Sequence, residues 1–378
     1  MGGIFIKLLI LSGNTGGGHN SAANAIKDVF ESHNVPCDIR DSLAFWGKLQ
    51  SDIISDGHVF IYKNTPKLFG VGYRFAENHP AKDKTTSLMY KTFSKGAKKL
   101  YELLLEEKYS AIVCTHVFSG MLATEVKRKY IPNLKVYFVA TDYTCAPGTP
   151  ELDADAYFIP HNLLKNEFAS FNIPEAAIIP SGIPVRSNFY KKTDENTAKE
   201  LLNLPVNRQI VLLMCGSMGC GPIKELASRI TTLMPEDAHL AVVCGSNKSL
   251  QKELTECLQK ERATVIGFTD KMDLYMDAAT VAITKPGGLS STEALVKNLP
   301  LVLIDAVPGC ETRNMEFLTG NGFAETGETA AELTGKVISY LTNKEKCANV
   351  KARLLEDFGF NSAKTIYNRI VGIKDENS

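Results

Sequence analysis

Two stretches of this chain read alike, and together they leave few folds open. Val281 to Leu295, VAITKPGGLSSTEAL, and Lys7 to Ile26, KLLILSGNTGGGHNSAANAI, each pass from an apolar run of strand length through a glycine cluster into a helix opened by a small or polar residue. A strand that feeds a helix through a glycine turn leaves the first-turn N–H groups without intrahelical acceptors. It also aims the positive end of the helix dipole at the gap, so anions bind there. Two such turns predict two sites facing one cleft.

The remainder of the chain repeats the alternation. In the first half, strands are expected at Lys7–Ser12, Ser110–Thr115, Val136–Thr141 and Ala156–Ile159, with helices at Asn20–His33 and Gly120–Lys129. The segment Pro180 to Asn196, PSGIPVRSNFYKKTDEN, reads as a join. Beyond it, strands are expected at Gln209–Cys215, His239–Cys244, Thr264–Ile266, Val281–Thr284 and Leu301–Ile304. Helices are expected at Pro222–Leu233, Leu250–Lys260, Met272–Ala278 and Ser290–Lys297. Strands alternating with helices imply parallel sheets covered on both faces. The expectation is two doubly wound α/β domains, 1–185 and 186–378, with the last helix free to pack back on the first.

A length of 378 residues, 44% of them apolar, is ample for a core in each domain, and the formal net charge of zero gives no nucleic-acid footprint. Nine scattered cysteines without a C-x-x-C pair argue for a reducing cytosol and against a zinc or disulfide framework. The apolar run Ile4 to Leu11 is interrupted by Lys7 and lacks the flanks of a secretion signal, and no run reaches membrane-spanning length. Any membrane contact is therefore expected to be peripheral. Between Ala44 and Leu105, aromatics such as Trp46, Phe60, Phe69 and Phe93 lie among many lysines and Arg74. That stretch reads either as a solvated face over a packed core or as a surface that adsorbs to anionic lipid.

The polar residues at the expected strand ends are the candidates for chemistry. Gly13 to Gly18 has the spacing of a P-loop, but His19 and Asn20 stand where the Lys and Ser/Thr would be, and the run does not fit G-x-G-x-x-G either. A phosphohydrolase or dinucleotide enzyme is disfavoured. His19, on the first helical turn, is of the residue type that serves as a general base near neutral pH. Thr115-His116 and Thr141-Asp142-Tyr143 lie at the strand edge where open α/β sheets bind ligands. In the second half, backbone N–H groups of Gly287 to Ser290 can hold a diphosphate with Lys285 beside it, and Glu293 can accept hydrogen bonds from a ribose. The alternative is an ordinary helix start capped by Ser290 or Ser291. Gly216, Ser217 and Gly219 follow a strand and form either a phosphate rest or a plain turn. His58, His79 and His161 have no partner at metal-ligand spacing.

With SGNTGGGHNSAANAI, THVFSGMLATE, VATDYT, FIPH, PSGIPVR, CGSMGCG, TKPGGLSSTEAL and LIDAVPGCETRN in this order, the chain resembles the lipid glycosyltransferases that include monogalactosyldiacylglycerol synthase and the processive diacylglycerol glucosyltransferases. More distantly it resembles the N-acetylglucosaminyltransferase that completes the peptidoglycan lipid precursor. The resemblance runs from about Leu8 to Phe323 and implies a GT-B fold, two Rossmann-like doubly wound domains facing a cleft. By that resemblance the donor would lie along Gly216, Ser217 and Gly219, with its uracil by Phe268. Its diphosphate would lie on Lys285, Gly287, Gly288, Leu289 and Ser290, its ribose on Glu293, and its sugar hydroxyls on Glu311 and Asn314. Gly17, Gly18 and His19 match the family's glycine loop, and His116 and Asp142 match polar positions of the acceptor side, so His19, Asp142 and His116 form the candidate catalytic set.

The implied reaction is inverting transfer of a hexose from a UDP-sugar, UDP-glucose or UDP-galactose, to diacylglycerol or a related lipid. The enzyme would work on the inner face of the cell membrane, without nucleic acid, cofactor or metal. The other readings are a GT-B enzyme with a polyprenyl-linked or soluble sugar acceptor, and a UDP-sugar-binding regulator that has lost turnover. Two departures from the family stand out. Cys310 replaces a common Gln beside the sugar-contacting residues, and TCAPGTPEL after Tyr143 lacks the family's Trp and His.

Overall fold

The computed structural model describes residues 7–13, 17–46, 87–214, 223–304 and 306–372. The chain divides into two compact units, one of Met1–Arg186 with Val307–Arg313 and Asn361–Ser378, the other of Ser187–Ala306 with Asn314–Phe360.

In the first unit, β1 (Leu8–Ser12) leads into α1 (Gly17–Ser32) and β2 (Cys37–Asp41), and α2 (Leu88–Phe93) and α3 (Ala97–Glu107) precede β3 (Ala111–Cys114). Then come α4 (Val117–Lys129), β4 (Lys135–Val139), β5 (Ala156–Ile159), α5 (Lys165–Ser170) and β6 (Ile178–Pro180). All pairings are parallel, in the order β2-β1-β3-β4-β5-β6. The inner strands β1, β3 and β5 are buried throughout, which is why they read as unbroken apolar runs instead of alternating ones. Helix α1 buries Ala22, Ala23, Ala25, Ile26 and Phe30; the three alanines let it approach the sheet closely, while Ile26 and Phe30 fill the core.

The second unit holds α6 (Glu195–Leu201), β7 (Gln209–Met214), α7 (Ile223–Leu233), β8 (Ala238–Val243), α8 (Lys248–Cys257) and β9 (Ala263–Ile266). These are followed by α9 (Met272–Ala278), β10 (Ala279–Thr284), α10 (Gly288–Val296), β11 (Leu301–Leu303), α11 (Cys310–Gly320, the first turn of which, to Arg313, falls in the first unit), β12 (Glu325–Thr326), α12 (Ala330–Thr342) and α13 (Lys344–Phe358). Its sheet is parallel as well, ordered β12-β11-β10-β7-β8-β9. The closing helix α14 (Ser362–Val371) belongs with the first unit, where Tyr367 packs edge-on to Phe30 at 5.1 Å.

Several boundaries differ from the expected ones. Helix α1 starts at Gly17 instead of Asn20, so Gly17 and Gly18 are helical, and α4 starts at Val117 instead of Gly120, which makes His116 its N-cap. Strands β2, β6 and β12 carried no clear signal. β2, CDIRD, is a half-exposed edge strand, and β12 has two residues.

Each sheet reverses its direction of growth once. From β1 the chain moves to β2 on one side, and from β3 it moves outward on the other, so the reversal lies between β1 and β3. In the second sheet it lies between β7 and β10. Ligand sites of open α/β sheets lie at the carboxyl ends of such strand pairs.

Candidate active site

The carboxyl ends of β1, β3 and β4, neighbours in the first sheet, bring the expected catalytic set together. His19 enters from the first turn of α1, half-buried, with Nδ1 2.8 Å from the Thr115 carbonyl oxygen and 2.9 Å from Thr141 Oγ1. A carbonyl oxygen can only accept, so in the neutral ring the proton sits on Nδ1 and the lone pair on Nε2. Thr115 Oγ1 returns a bond to the His19 carbonyl at 3.2 Å, and Ser12 Oγ donates to Asn20 Oδ1 at 2.6 Å, fixing the turn from β1 into α1. Burial holds the His19 imidazole below its ordinary pKa, against opposing contributions from the Asp142 charge and the Thr115 carbonyl. The ring is therefore a neutral base at neutral pH, with a carboxylate placed to favour the imidazolium once a proton arrives.

His116 stands edge-to-face with His19, ring centroids 4.5 Å apart at 81°. It caps α4 by accepting the Phe118 N–H at Nδ1, 3.1 Å, which puts the proton of its neutral ring on Nε2. Gly13 makes room for it: a Cβ there would lie 3.1 Å from His116 Cγ. The departing loop after Tyr143 is held by contacts of its own. Glu167 accepts from Thr144 Oγ1 at 2.8 Å and from the Cys145 N–H at 2.6 Å. Gly148 adopts φ +88°, where a Cβ would also clash with Met89 and Met121.

In the second unit β10 ends at Thr284, the Gly287 N–H donates to the Lys285 carbonyl at 2.8 Å, and α10 begins at Gly288. Gly287 is the N-cap and no side chain caps the helix, so neither Ser290 nor Ser291 plays the capping part. The first intrahelical bond runs from the Ser291 N–H to the Gly287 carbonyl, leaving the N–H groups of Gly288, Leu289 and Ser290 directed out of the helix start. An anion there would meet three donors and the helix dipole, with Lys285 half-buried beside it.

Asn314 is fully buried and donates to the Pro286 carbonyl at 2.9 Å, so it braces the Pro286–Gly287 turn. Glu311 Oε2 accepts the Val307 N–H at 2.8 Å. Glu293 is buried within α10, whereas Phe268, on the loop after β9, is 82% exposed, an aromatic face open to stacking. Gly216, Ser217 and Gly219 lie outside the described residues, as does most of the basic aromatic stretch. Among the described residues, no group of three or more His, Cys, Asp or Glu side chains is placed to hold a metal ion.

Sequence reading reached the strand-end residues but not the aromatic rings behind them. Phe118 is an ordinary apolar letter in the sequence and Phe93 only one of the aromatics of the basic stretch; the packing of α2 on α4 stacks Phe93 on Phe118, which lies against His116.

Residues 19–185 match the model of the monogalactosyldiacylglycerol (MGDG) synthase family, and residues 210–316 match that of the glycosyltransferase family 28 C-terminal domain. Solved structures with the same fold include Staphylococcus aureus MnaA in complex with UDP, with a TM-score of 0.63, 13% identity and 99% of each chain covered. Another is Acinetobacter baumannii MurG, with a TM-score of 0.58 and 14% identity, covering 96% of this chain and 98% of that one. The two parallel sheets show the GT-B fold, and the family matches make the chain a glycosyltransferase of that fold. Among curated proteins, the chain is 26% identical over 362 residues to the processive diacylglycerol beta-glucosyltransferase of Staphylococcus carnosus, covering 93% of this chain and 88% of that protein. It is 27% identical over 358 residues to the Bacillus cereus (strain B4264) enzyme of that name, covering 91% and 88%. The chain thus carries an MGDG synthase match followed by a glycosyltransferase family 28 C-terminal match, the two running from residue 19 to residue 316.

Proposed function

We propose that this enzyme moves a hexose from UDP-glucose or UDP-galactose to the hydroxyl of diacylglycerol or a related membrane lipid, with inversion at the anomeric carbon. The observation that carries the reading is the His19 imidazole, its Nδ1–H committed to the Thr115 carbonyl and its Nε2 left as a base. The names of the curated relatives support the lipid acceptor, and the UDP complex of a protein of like fold supports the nucleotide.

In this reading the acceptor oxygen attacks the anomeric carbon and its proton passes to His19 Nε2. The bond from that carbon to the β-phosphate oxygen breaks, and UDP leaves with the bonding pair. The negative charge developing on the leaving group meets the first-turn N–H groups of α10 and Lys285, so no metal is required by the proposal. Asp142 favours the imidazolium formed at His19.

The protein would work as a peripheral enzyme on the inner face of the cell membrane. Among the described residues no helix is long and apolar enough to cross a membrane. Leu88, 82% exposed on α2, with the exposed Lys91, Lys95, Lys98 and Lys99, supports adsorption to an anionic surface.

The test is UDP release from UDP-glucose and UDP-galactose, in parallel, with and without diacylglycerol vesicles and with a chelator present. Release that depends on the lipid and survives the chelator is the expected result, and it names the sugar. Release that is indifferent to the lipid would point to another acceptor, and donor binding without release would point to a regulator. Either would overturn the proposal.

The exposed Phe268 gives a second check. Phe268→Ala is expected to raise the KM for the UDP-sugar by about tenfold with kcat little changed, since stacking a base on an aromatic ring is worth about 1–3 kcal/mol. An unaltered KM would remove Phe268 from the donor site.

A further inference from the structure

A file of aromatic rings leads up to His19 from behind. Trp46 lies 4.4 Å from Phe93, ring to ring, and its Nε1–H donates to the Phe93 carbonyl at 3.1 Å. Phe93 stacks on Phe118 at 3.4 Å and 8°. Phe118 meets His116 at 4.4 Å and 63°, and His116 meets His19 at 4.5 Å and 81°.

Both hydrogen bonds of the His19 ring are made at Nδ1. An imidazole bonded at one nitrogen can still swing about that bond, which would carry Nε2 off any target. The edge-to-face contact with His116 fixes the plane of the ring, because the positive edge of one ring seeks the negative face of the other. His116 is itself held twice by a single residue, through the Phe118 N–H at Nδ1 and through the Phe118 ring. Core filling does not account for Phe118. Its neighbours Val117 and Ser119 on α4 are buried, whereas Phe118 is only half-buried and faces the histidines. A phenyl ring moves no proton, so what it supplies is placement.

We propose that Phe118 is a positioning residue of the reaction, acting through His116 to hold the His19 imidazole with Nε2 presented to the acceptor hydroxyl. Phe93 and Trp46 back it. The inference rests on the function proposed above, in which His19 is the base.

Its test uses the full chain and two readouts, one of them independent of turnover. In Phe118→Leu, which keeps an apolar side chain but removes the planar face, the ring nitrogen and Cε1–H resonances of His19 are expected to move. The kcat for UDP release should fall on the order of tenfold with the KM for the UDP-sugar unchanged, the loss expected for a misplaced base. Phe118→Tyr keeps the ring and should restore both. His19 resonances that stand still in folded F118L overturn the proposal whatever the turnover, and so does a tyrosine variant as impaired as the leucine one. Should F118L fail to fold, Phe93→Leu, one ring further out, is expected to move the same resonances in the same direction; no movement there overturns the proposal equally. The base reading fails separately, by full turnover in His19→Ala, an outcome the resonance measurement does not touch.

Discussion

Replacing His19 with alanine is expected to lower kcat by about 10²–10⁴-fold, the range supplied by a positioned general base, while the KM for the UDP-sugar stays near that of the unaltered enzyme. The split follows from location: His19 stands at the strand ends of the first unit, whereas the expected diphosphate and ribose contacts, Lys285 to Glu293, belong to the second. The pH profile carries the same information. A base works in its neutral form, which is lost as pH falls through its pKa, and burial holds the His19 pKa below its ordinary value. The acid limb of the rate is therefore expected below the ordinary imidazole value of about 6.5, with activity kept at neutral pH. The groups that bear on this titration are Asp142, whose charge works in the opposite direction, and His116, whose ring packs against His19. Steady-state rates of UDP release across pH would check the prediction. If Asp142→Asn abolished turnover while His19→Ala kept it, the base would be the carboxylate.

The largest expected effect on stability lies away from the chemistry, at Lys297. Its ammonium sits 2.6 Å from Asp277 Oδ2, with the two side chains 2% and 1% exposed, and also donates to the Lys191 carbonyl. Asp277 accepts the Thr193 N–H at 3.1 Å as well, so the pair ties α9 and the end of α10 to the segment that opens the second unit. Removing one partner leaves a buried charge without compensation. Lys297→Met is accordingly expected to cost about 3–5 kcal/mol, which in a domain of this size lowers the melting temperature by roughly 10 °C. The double variant Lys297→Met, Asp277→Leu removes both charges and should recover much of that loss. Thermal unfolding of both variants tests this; a single variant as stable as the parent would mean that the charge finds water or another partner.

These two sites differ in how far the sequence announces them. The strand–glycine–helix units at Lys7 to Ile26 and Val281 to Leu295 are legible because everything that makes them is local: an apolar run, residues that permit a turn, and a helix start. The same locality set His116 and Asp142 at strand ends, and so at the edge where open α/β sheets bind ligands. Where local signals are weak the reading stopped. β2 is an edge strand whose CDIRD is short and carries only two apolar residues, too little to declare itself, and the low helix propensity of glycine hid the fact that Gly17 and Gly18 begin α1.

The sequence by itself determined the class of each domain, the strand ends at which open α/β sheets bind ligands and the residue types available there for proton transfer. Which imidazole nitrogen carries the proton, which ring holds which, and which lysine loses its water were decided only by the tertiary structure. Those outcomes depend on contacts between residues far apart in the chain. Thr115 and Thr141 reach His19, Phe93 reaches Phe118, and Asp277 reaches Lys297 only after parallel strands and their crossover helices have packed. No periodicity along a single segment encodes such meetings, because the energy that selects them arises from burial and hydrogen bonding between elements.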